Sequence, residues 1–209
     1  MVPEKLSLGL ARITGYPSKF KGINIRSNTG ERIGQGADGE KASGILMVDG
    51  TLFMLIRNAG NSQLGWSDDL GATWSWSDWK FDTSFGHPTF LNFGKNYQGA
   101  RDDYVYIYSH DNDSAYEPSD QMVMARVPKE RIRNREAYSF FQSRDKQGNI
   151  RWTQDIKQRG AVFYHASRCY RSMITYNAAL KRYLWCQIIP GGDTRFEGGL
   201  GIYDASEPW

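Results

Sequence analysis

The sequence has little cysteine, little net charge and no long apolar run. Two cysteines among 209 residues cannot form a disulfide framework, and their spacing is not that of a metal cluster. A formal net charge of +3 is too small to indicate nucleic acid as a partner. No apolar run approaches the ~20 residues that a membrane-spanning helix needs, so we expect no membrane partner.

A signal peptide is also lacking. The opening segment MVPEKLSLGL has neither the basic region nor the continuous apolar region of such a peptide. The localisation is therefore not assigned, and export would need a signal upstream of Met1. The length of 209 residues is that of one domain, and we treat residues 1–209 as a single domain.

Aromatic residues and glycine are abundant. Aromatic side chains make up 14% of the chain, and there are 22 glycines, which favours a β-rich fold with many tight turns. The apolar runs 43–48 and 51–58 flank Asp49-Gly50, a strong signal for a β-hairpin. With 63–67 and 73–79, they predict four consecutive antiparallel strands.

The four-strand unit recurs along the chain. Strands are predicted at 87–94, 103–110, 121–127 and 149–153, then at 170–177, 182–189 and 198–204, while 6–14 and 21–27 indicate remains of an earlier unit. About 40–50 residues per unit is the period of a β-propeller blade. One segment breaks the pattern: Pro128 and the apolar residues of 128–141 predict an inserted helix with a solvated basic face.

The motif SDDLGATW at 67–74 fits the pattern S-x-D-x-G-x-T-W. We expect Ser67 and Asp69 to bind turn amides, Gly71 to adopt a positive φ and Trp74 to pack in the sheet layer. The motif resembles the Asp-box of sialidase-type propellers. In that family it lies between the third and fourth strands of a blade, so it indicates a fold rather than catalysis.

The resemblance extends along most of the chain, through segments such as KASGILMVDGTLFMLIRNAGNSQLGWS and RCYRSMITYNAALKRYLWCQIIPGGDTRFEGGLGIYDASEPW. These segments resemble a bacterial and phage-associated β-propeller family that is similar to five-bladed arabinanase-like and sialidase-like glycosidases, some of whose relatives are assigned as endo-D-arabinanases. The resemblance implies an all-β propeller of four-stranded antiparallel blades that is truncated at both ends. It also implies a glycoside hydrolase that acts on an oligo- or polysaccharide.

Propeller topology predicts where a site would lie. Turns between the second and third strands of a blade share one face with the crossovers between blades, and all three histidines fall there. Glycoside hydrolysis needs a pair of carboxyl groups. The predicted catalytic residues are Asp111, Asp193 and Glu197. The predicted substrate-binding residues are Arg57, His87, Glu117, Arg168, Tyr170, Arg171 and Arg195.

Several alternatives stay open. Asp111 and Asp113 have a spacing that suits a divalent cation, although we predict no cofactor. Arg57 is suited either to an acidic substrate group or to a salt bridge between blades, and His87 either to a sugar hydroxyl or to a structural role. A sugar-binding propeller without catalysis, or an inactive fragment that assembles through exposed blade edges, would also fit.

The two cysteines are predicted to be free thiols. If Tyr176 faces Tyr183 across the turn at 177–182, Cys186 lies opposite Met173. Cys169 and Cys186 are then about four residues apart along the ladder, or ~13 Å. That distance is beyond the reach of a disulfide bond.

Overall fold

The structure, a computed structural model, describes residues 9–25, 40–58, 60–188 and 199–209. Within these ranges the regular structure is β-strand with four single 3₁₀ turns and no α-helix. The strands are β1 (Leu10–Tyr16), β2 (Lys19–Ile25), β3 (Lys41–Val48), β4 (Thr51–Arg57), β5 (Ser62–Ser67), β6 (Ser75–Phe81), β7 (Thr89–Asn92), β8 (Tyr104–His110), β9 (Ser119–Pro128), β10 (Ser139–Arg144), β11 (Ile150–Thr153), β12 (Ala161–Cys169), β13 (Ser172–Asn177), β14 (Arg182–Ile188) and β15 (Leu200–Ala205). The 3₁₀ turns are Lys95–Tyr97, Lys129–Arg131, Arg135–Ala137 and Ile156–Gln158. None of the helices in these ranges is long and apolar enough to cross a membrane.

The first large sheet is the predicted four-stranded meander. Strands β3, β4, β5 and β6 pair in sequence order, and every pair is antiparallel. The β3–β4 hairpin turns at Asp49 and Gly50, which have φ values of 47° and 87°. Positive φ at both central residues is what a two-residue hairpin turn requires, so the turn prediction is confirmed.

The β5–β6 turn is held by the side chains that the sequence indicated. Ser67 Oγ accepts a hydrogen bond from the Gly71 amide at 2.7 Å. Asp69 accepts bonds from the Thr73 amide at 2.8 Å and from the Thr73 hydroxyl at 2.7 Å. Gly71 has a φ of 93°, and the Trp74 indole is buried and donates to the Gly71 carbonyl at 3.0 Å. The two hydrogen bonds from Thr73, followed by one from Ser67, lower the pKa of Asp69 to about 2.

The second large sheet has nine strands, and the predicted second and third units are joined within it. Its order is β11-β10-β9-β8-β7-β13-β14-β15, with β12 also paired to β9. The joint is a short parallel pairing of β7 with β13, through Leu91 with Ile174 and Asn92 with Thr175. The other pairs in this sheet are antiparallel. Strands β1 and β2 form a separate hairpin.

The prediction of a helix at 128–141 is wrong. The segment forms two single 3₁₀ turns, Lys129–Arg131 and Arg135–Ala137, and then enters β10. Tyr138 is fully buried, and its hydroxyl donates to the Ile132 carbonyl at 2.7 Å. The Trp79 indole donates to the Arg133 carbonyl at 3.0 Å. The segment therefore folds around tertiary contacts that the local pattern does not contain.

The main core contains large aromatic side chains as well as aliphatic ones. Phe81 stacks on Phe85 with ring centroids 4.8 Å apart, and both side chains have no exposed surface. Phe85 also meets Phe140 of β10 edge to face at 5.7 Å. The core thus joins the four-stranded sheet to the nine-stranded one. Cys169 and Cys186 are free thiols, as predicted, and Tyr176 pairs with Tyr183 in the expected register.

Candidate active site

The short parallel pairing of β7 with β13 places the starts of these two strands side by side. His87 precedes β7 and Arg171 precedes β13. The loop between β8 and β9 reaches the same place, because Arg171 Nε donates to the Ala115 carbonyl at 2.8 Å. The end of β4 completes the group, since Asn58 Nδ2 donates to the Tyr116 hydroxyl at 2.9 Å. Four chain segments therefore converge, as the loop topology predicted.

Two arginines lie close to the ring of Tyr116. The Cζ atoms of Arg57 and Arg171 each lie 5.0 Å from the centroid of that ring. Arg171 also lies 5.0 Å from the Tyr170 ring, and the Tyr170 hydroxyl donates to the Tyr116 carbonyl at 3.1 Å. Both guanidinium groups can make cation–π contacts with Tyr116, an exposed side chain.

This environment favours the phenolate form of Tyr116. Hydrogen bonding by Arg57 is the largest cause, followed by hydrogen bonding from Asn58 and by the positive charge of Arg57, and together they hold the pKa of Tyr116 below its usual value of 10.0. The charge of Arg171 acts in the same direction. Tyr116 is therefore a phenol whose ionised form is stabilised by a pair of cations.

Burial, supported by the same cations, keeps His87 neutral. Burial lowers the pKa of His87 to about 4, and the charges of Arg57, His110 and Arg171 act in the same direction. Its Nδ1 atom is buried and has no hydrogen-bond partner among the described residues. A neutral imidazole with an unused nitrogen suits contact with a hydroxyl group.

His110 is fully buried behind this cluster. Its Nε2 atom lies 2.8 Å from the Ser114 carbonyl, and its ring centroid lies 5.7 Å from that of Tyr170. Burial lowers the pKa of His110, against the opposing effect of the Ser114 hydrogen bond. A neutral ring that donates to Ser114 fixes the base of the β8–β9 loop.

The β8–β9 loop is also anchored to the crossover before β7. The Gly86 amide donates to the Asn112 carbonyl at 2.9 Å. The carboxylate of Asp113 accepts hydrogen bonds from the Ser84 amide and from Asn61 Nδ2, the latter at 3.2 Å. These bonds position the loop that carries Tyr116.

Asp111 is engaged in an ion pair. Its Oδ1 atom lies 2.6 Å from Nη2 and 2.8 Å from Nε of Arg159. Asp113 binds different partners, the Ser84 amide and Asn61 Nδ2. Within the described ranges, no group of three or more His, Cys, Asp and Glu side chains is placed to hold a metal ion.

The remaining predicted residues are placed as follows. Glu117 is exposed next to Tyr116, and Arg168 is half-buried near the end of β12. His165 is exposed on β12, where its ring centroid lies 6.2 Å from that of Phe163. Asp193, Arg195 and Glu197 lie outside the described residues. The structure thus gathers Arg57, His87, Tyr170 and Arg171, while Asp111 contributes an ion pair with Arg159.

Tyr116 is the residue that the sequence did not select. It is the single aromatic residue of the segment 109–120, which the turn topology places on the same face as the arginines, but no local motif distinguishes it. The available signal was its position in a second-to-third-strand turn, opposite Arg57 in the preceding unit. Asn58 and Arg159 likewise become informative only once their partners are known.

Solved structures with alignments over most of the chain include the following two. One alignment is with a structure described as "NanB plus Optactamide", at 16% identity and a TM-score of 0.42, over 95% of this chain and 26% of that one. The other is with "Phage phi92 endosialidase", at 14% identity and a TM-score of 0.41, over 90% of this chain and 29% of that one. The chain thus spans less than a third of either protein. No family model and no curated protein matches the sequence.

Proposed function

We propose that the chain is a carbohydrate-active β-propeller domain that binds an acidic sugar through Arg57 and Arg171. The four-stranded sheet β3–β6 is then one blade, and the motif at 67–74 is its Asp-box. The observation that carries the proposal is the pair of guanidinium groups that each lie 5.0 Å from the centroid of the Tyr116 ring. Guanidinium groups bind carboxylates through paired, charge-assisted hydrogen bonds.

The local charge balance supports an anionic ligand. The Nη1 atom of Arg57 is buried and has no hydrogen-bond partner among the described residues. The nearby carboxylate of Asp111 is already paired with Arg159, and that of Asp113 accepts two hydrogen bonds from the protein. Nη1 of Arg57 is therefore a donor that a carboxylate of the substrate can use.

The neighbouring groups suit the rest of a sugar. The ring of Tyr170 can pack on the C–H face of a sugar ring, and the unused nitrogen of His87 can accept from or donate to a hydroxyl. Glu117 is exposed beside Tyr116 and can accept a hydroxyl hydrogen bond. This is the mixture of apolar surface and few polar groups that small ligands use.

The reaction that we propose is glycoside hydrolysis with Tyr116 as the nucleophile. Its phenolate oxygen would attack the anomeric carbon while an acid protonates the leaving oxygen, and water would then release the sugar from the tyrosine. Asp193 and Glu197 are our candidates for the acid and for the base that activates this water. Hydrolysis through two carboxylates alone, with no role for Tyr116, is the competing mechanism.

Turnover of fluorogenic glycosides tests the function. We expect a sialoside to be cleaved in preference to a neutral arabinoside, and Arg57→Ala or Arg171→Ala to lower kcat/KM by roughly 30-fold, which corresponds to about 2 kcal/mol. Arg133→Ala is the matched control, because Arg133 forms an exposed ion pair with Asp68 at 2.9 Å. Equal turnover in the three arginine variants would contradict the proposal.

Measuring sugar binding as well as hydrolysis distinguishes residues needed for catalysis from residues needed only for binding. Tyr116→Phe should abolish hydrolysis and leave binding of the acidic sugar within a few-fold, as measured by calorimetry. Hydrolysis that survives Tyr116→Phe but not Asp193→Ala or Glu197→Ala would favour the carboxylate pair. Binding of acidic glycans with no hydrolysis at all would identify a sugar-binding domain without catalysis.

A further inference from the structure

A cavity lies away from the arginine pair, where β12 faces β14 and β15. Its volume is about 210 Å³, and it is lined chiefly by aromatic side chains. Phe163 of β12, Trp185 of β14 and Tyr203 of β15 form one wall, and Trp209 contributes to another. Of the described residues that hold Tyr116, His87 and the two arginines in place, none lines this cavity.

The three rings of the first wall meet at steep angles. Phe163 lies edge to face with Trp185, at 4.7 Å between centroids and 71° between planes. It makes a similar contact with Tyr203, at 5.2 Å and 61°. Trp185 and Tyr203 are 5.8 Å apart at 50°. The mutual packing fixes each ring, so the wall is formed without a ligand and costs little side-chain entropy on binding.

The cavity has few polar groups, and they differ in whether they already have a hydrogen-bond partner. The indole nitrogen of Trp185 is buried and has no hydrogen-bond partner within the described part of the chain. Glu207 and Asp204 also line the cavity, but each carboxylate already binds an arginine. Arg101 Nη1 lies 2.7 Å from Glu207 Oε2, and Arg182 Nε lies 2.6 Å from Asp204 Oδ2.

These paired charges argue against a charged ligand. Each carboxylate is paired with one arginine, so neither an anion nor a cation meets a net opposite charge. An uncharged ligand with one apolar face can pack on the rings, accept a hydrogen bond from the Trp185 N–H, and donate hydroxyl hydrogens to the remaining carboxylate oxygens. A sugar ring without ionised groups has these properties.

We infer that this cavity is a second carbohydrate site, which binds one neutral sugar ring. The volume suits a single ring, because pockets for drug-sized ligands start at about 300 Å³. The inference goes beyond the proposed function, which concerns an acidic sugar bound between Arg57 and Arg171. A chain with both sites would hold two different sugar units of a glycan, or two glycans.

The indole N–H resonance of Trp185 tests the inference in the full chain. We expect neutral methyl glycosides, namely those of glucose, galactose and arabinose, to shift this ¹H–¹⁵N signal saturably, with a low-millimolar Kd for at least one sugar. Such a Kd is the range expected for one small ring. Trp185→Phe keeps a ring in the wall but removes the donor, and should weaken binding several-fold when measured by saturation-transfer NMR.

Matched controls separate the outcomes. Trp76→Phe changes a tryptophan in β6, outside the cavity, and should leave the Kd unchanged. Arg57→Ala should also leave binding of the neutral sugar intact. Loss of acidic-sugar binding and loss of neutral-sugar binding can therefore be told apart. No shift with any of the three glycosides, or a saturable shift with benzyl alcohol alone, would overturn the inference.

Discussion

Arg171 both positions Tyr116 and contributes to the lowering of its pKa. Its Nε donates to the carbonyl of the preceding residue, Ala115, at 2.8 Å, and its Cζ lies 5.0 Å from the Tyr116 ring centroid. The same side chain thereby fixes the backbone of the β8–β9 loop and favours a negative oxygen on the phenol. One guanidinium group therefore both positions the loop and adds, after Arg57 and Asn58, to the lowering of the pKa of Tyr116.

The first prediction concerns the titration of Tyr116. Because hydrogen bonding and charge from Arg57 are leading causes of the lowered pKa, Arg57→Ala should raise the pKa of Tyr116 back towards 10.0. The measurement is the phenolate absorbance as a function of pH, taken as the difference between each protein and its Tyr116→Phe counterpart. An identical difference curve in the Arg57→Ala background would show that Arg57 has no such effect, and Arg133→Ala provides the matched arginine control.

The second prediction concerns His87 and acid stability. Its folded-state pKa of about 4 lies below the ordinary 6.5, so only the unfolded chain binds this proton between the two values. The stabilisation from neutral His87 is therefore complete above about pH 6.5 and is lost progressively as the pH falls towards 4. The slope is at most about 1.4 kcal/mol per pH unit for one proton.

His87→Gln should remove that part of the pH dependence. Urea unfolding at pH 4.5, 5.5 and 7 would show a shallower loss of stability in the variant than in the wild type. His110 contributes in the same direction and should leave a residual slope. Parallel profiles for the two proteins would mean that His87 takes up its proton over the same pH range in the folded chain as in the unfolded chain, which would contradict the prediction.

The third prediction concerns the β5–β6 turn. Asp69→Ala removes the acceptor for the Thr73 amide and hydroxyl, and we expect Tm to fall by several degrees at pH 7. Because the pKa of Asp69 is lowered from 3.8 to about 2, its contribution is complete above pH 3.8 and disappears as the pH falls through 2. The gap in Tm between variant and wild type should narrow over that interval. The exposed Asp78 supplies the control Asp78→Ala.

The fourth prediction concerns the packing of the β8–β9 loop on Gly86. A Cβ atom at Gly86 would lie 2.6 Å from the Asp113 carbonyl oxygen and 2.8 Å from that of Asn112. Gly86→Ala must therefore displace the loop that carries Tyr116, at a cost of roughly 1–3 kcal/mol. We expect a lower urea midpoint together with weaker binding of the acidic sugar.

Gly22→Ala is the matched control for Gly86→Ala. Among the described residues, no atom outside Gly22 and its two chain neighbours lies within 4 Å of a Cβ at this position, so the substitution should not introduce a steric clash. If Gly86→Ala keeps both its stability and its affinity for the acidic sugar, the close approach of Gly86 does not position Tyr116.

Local sequence chemistry predicted much of the first sheet. Asp49-Gly50 can form a tight hairpin turn without help from the rest of the chain, and the residues of 67–74 satisfy one another within eight positions. The segment 128–141 could not be predicted in this way, because contacts with Trp79 and a buried Tyr138 shape it. Strand β12 was missed since its partner, β9, lies about forty residues earlier.

The clustering of the candidate residues was predicted in part. The topology of the turns was enough to group Arg57, His87, Tyr170 and Arg171 on one face. The sequence could not show that Asp111 is paired with Arg159, because that ion pair spans 48 residues. Nor could it select Tyr116, whose importance depends on arginines from two other units.

The sequence separation of the contacts in the site indicates when the site forms during folding. Strands β3 to β6 pair with their immediate sequence neighbours, whereas Asn58 reaches Tyr116 across 58 residues and Arg171 reaches Ala115 across 56. Closing such long loops is entropically costly, so the hairpins should form before the site does. An acidic ligand would then recognise only chains that have completed folding, and would prolong the native lifetime without accelerating the folding reaction.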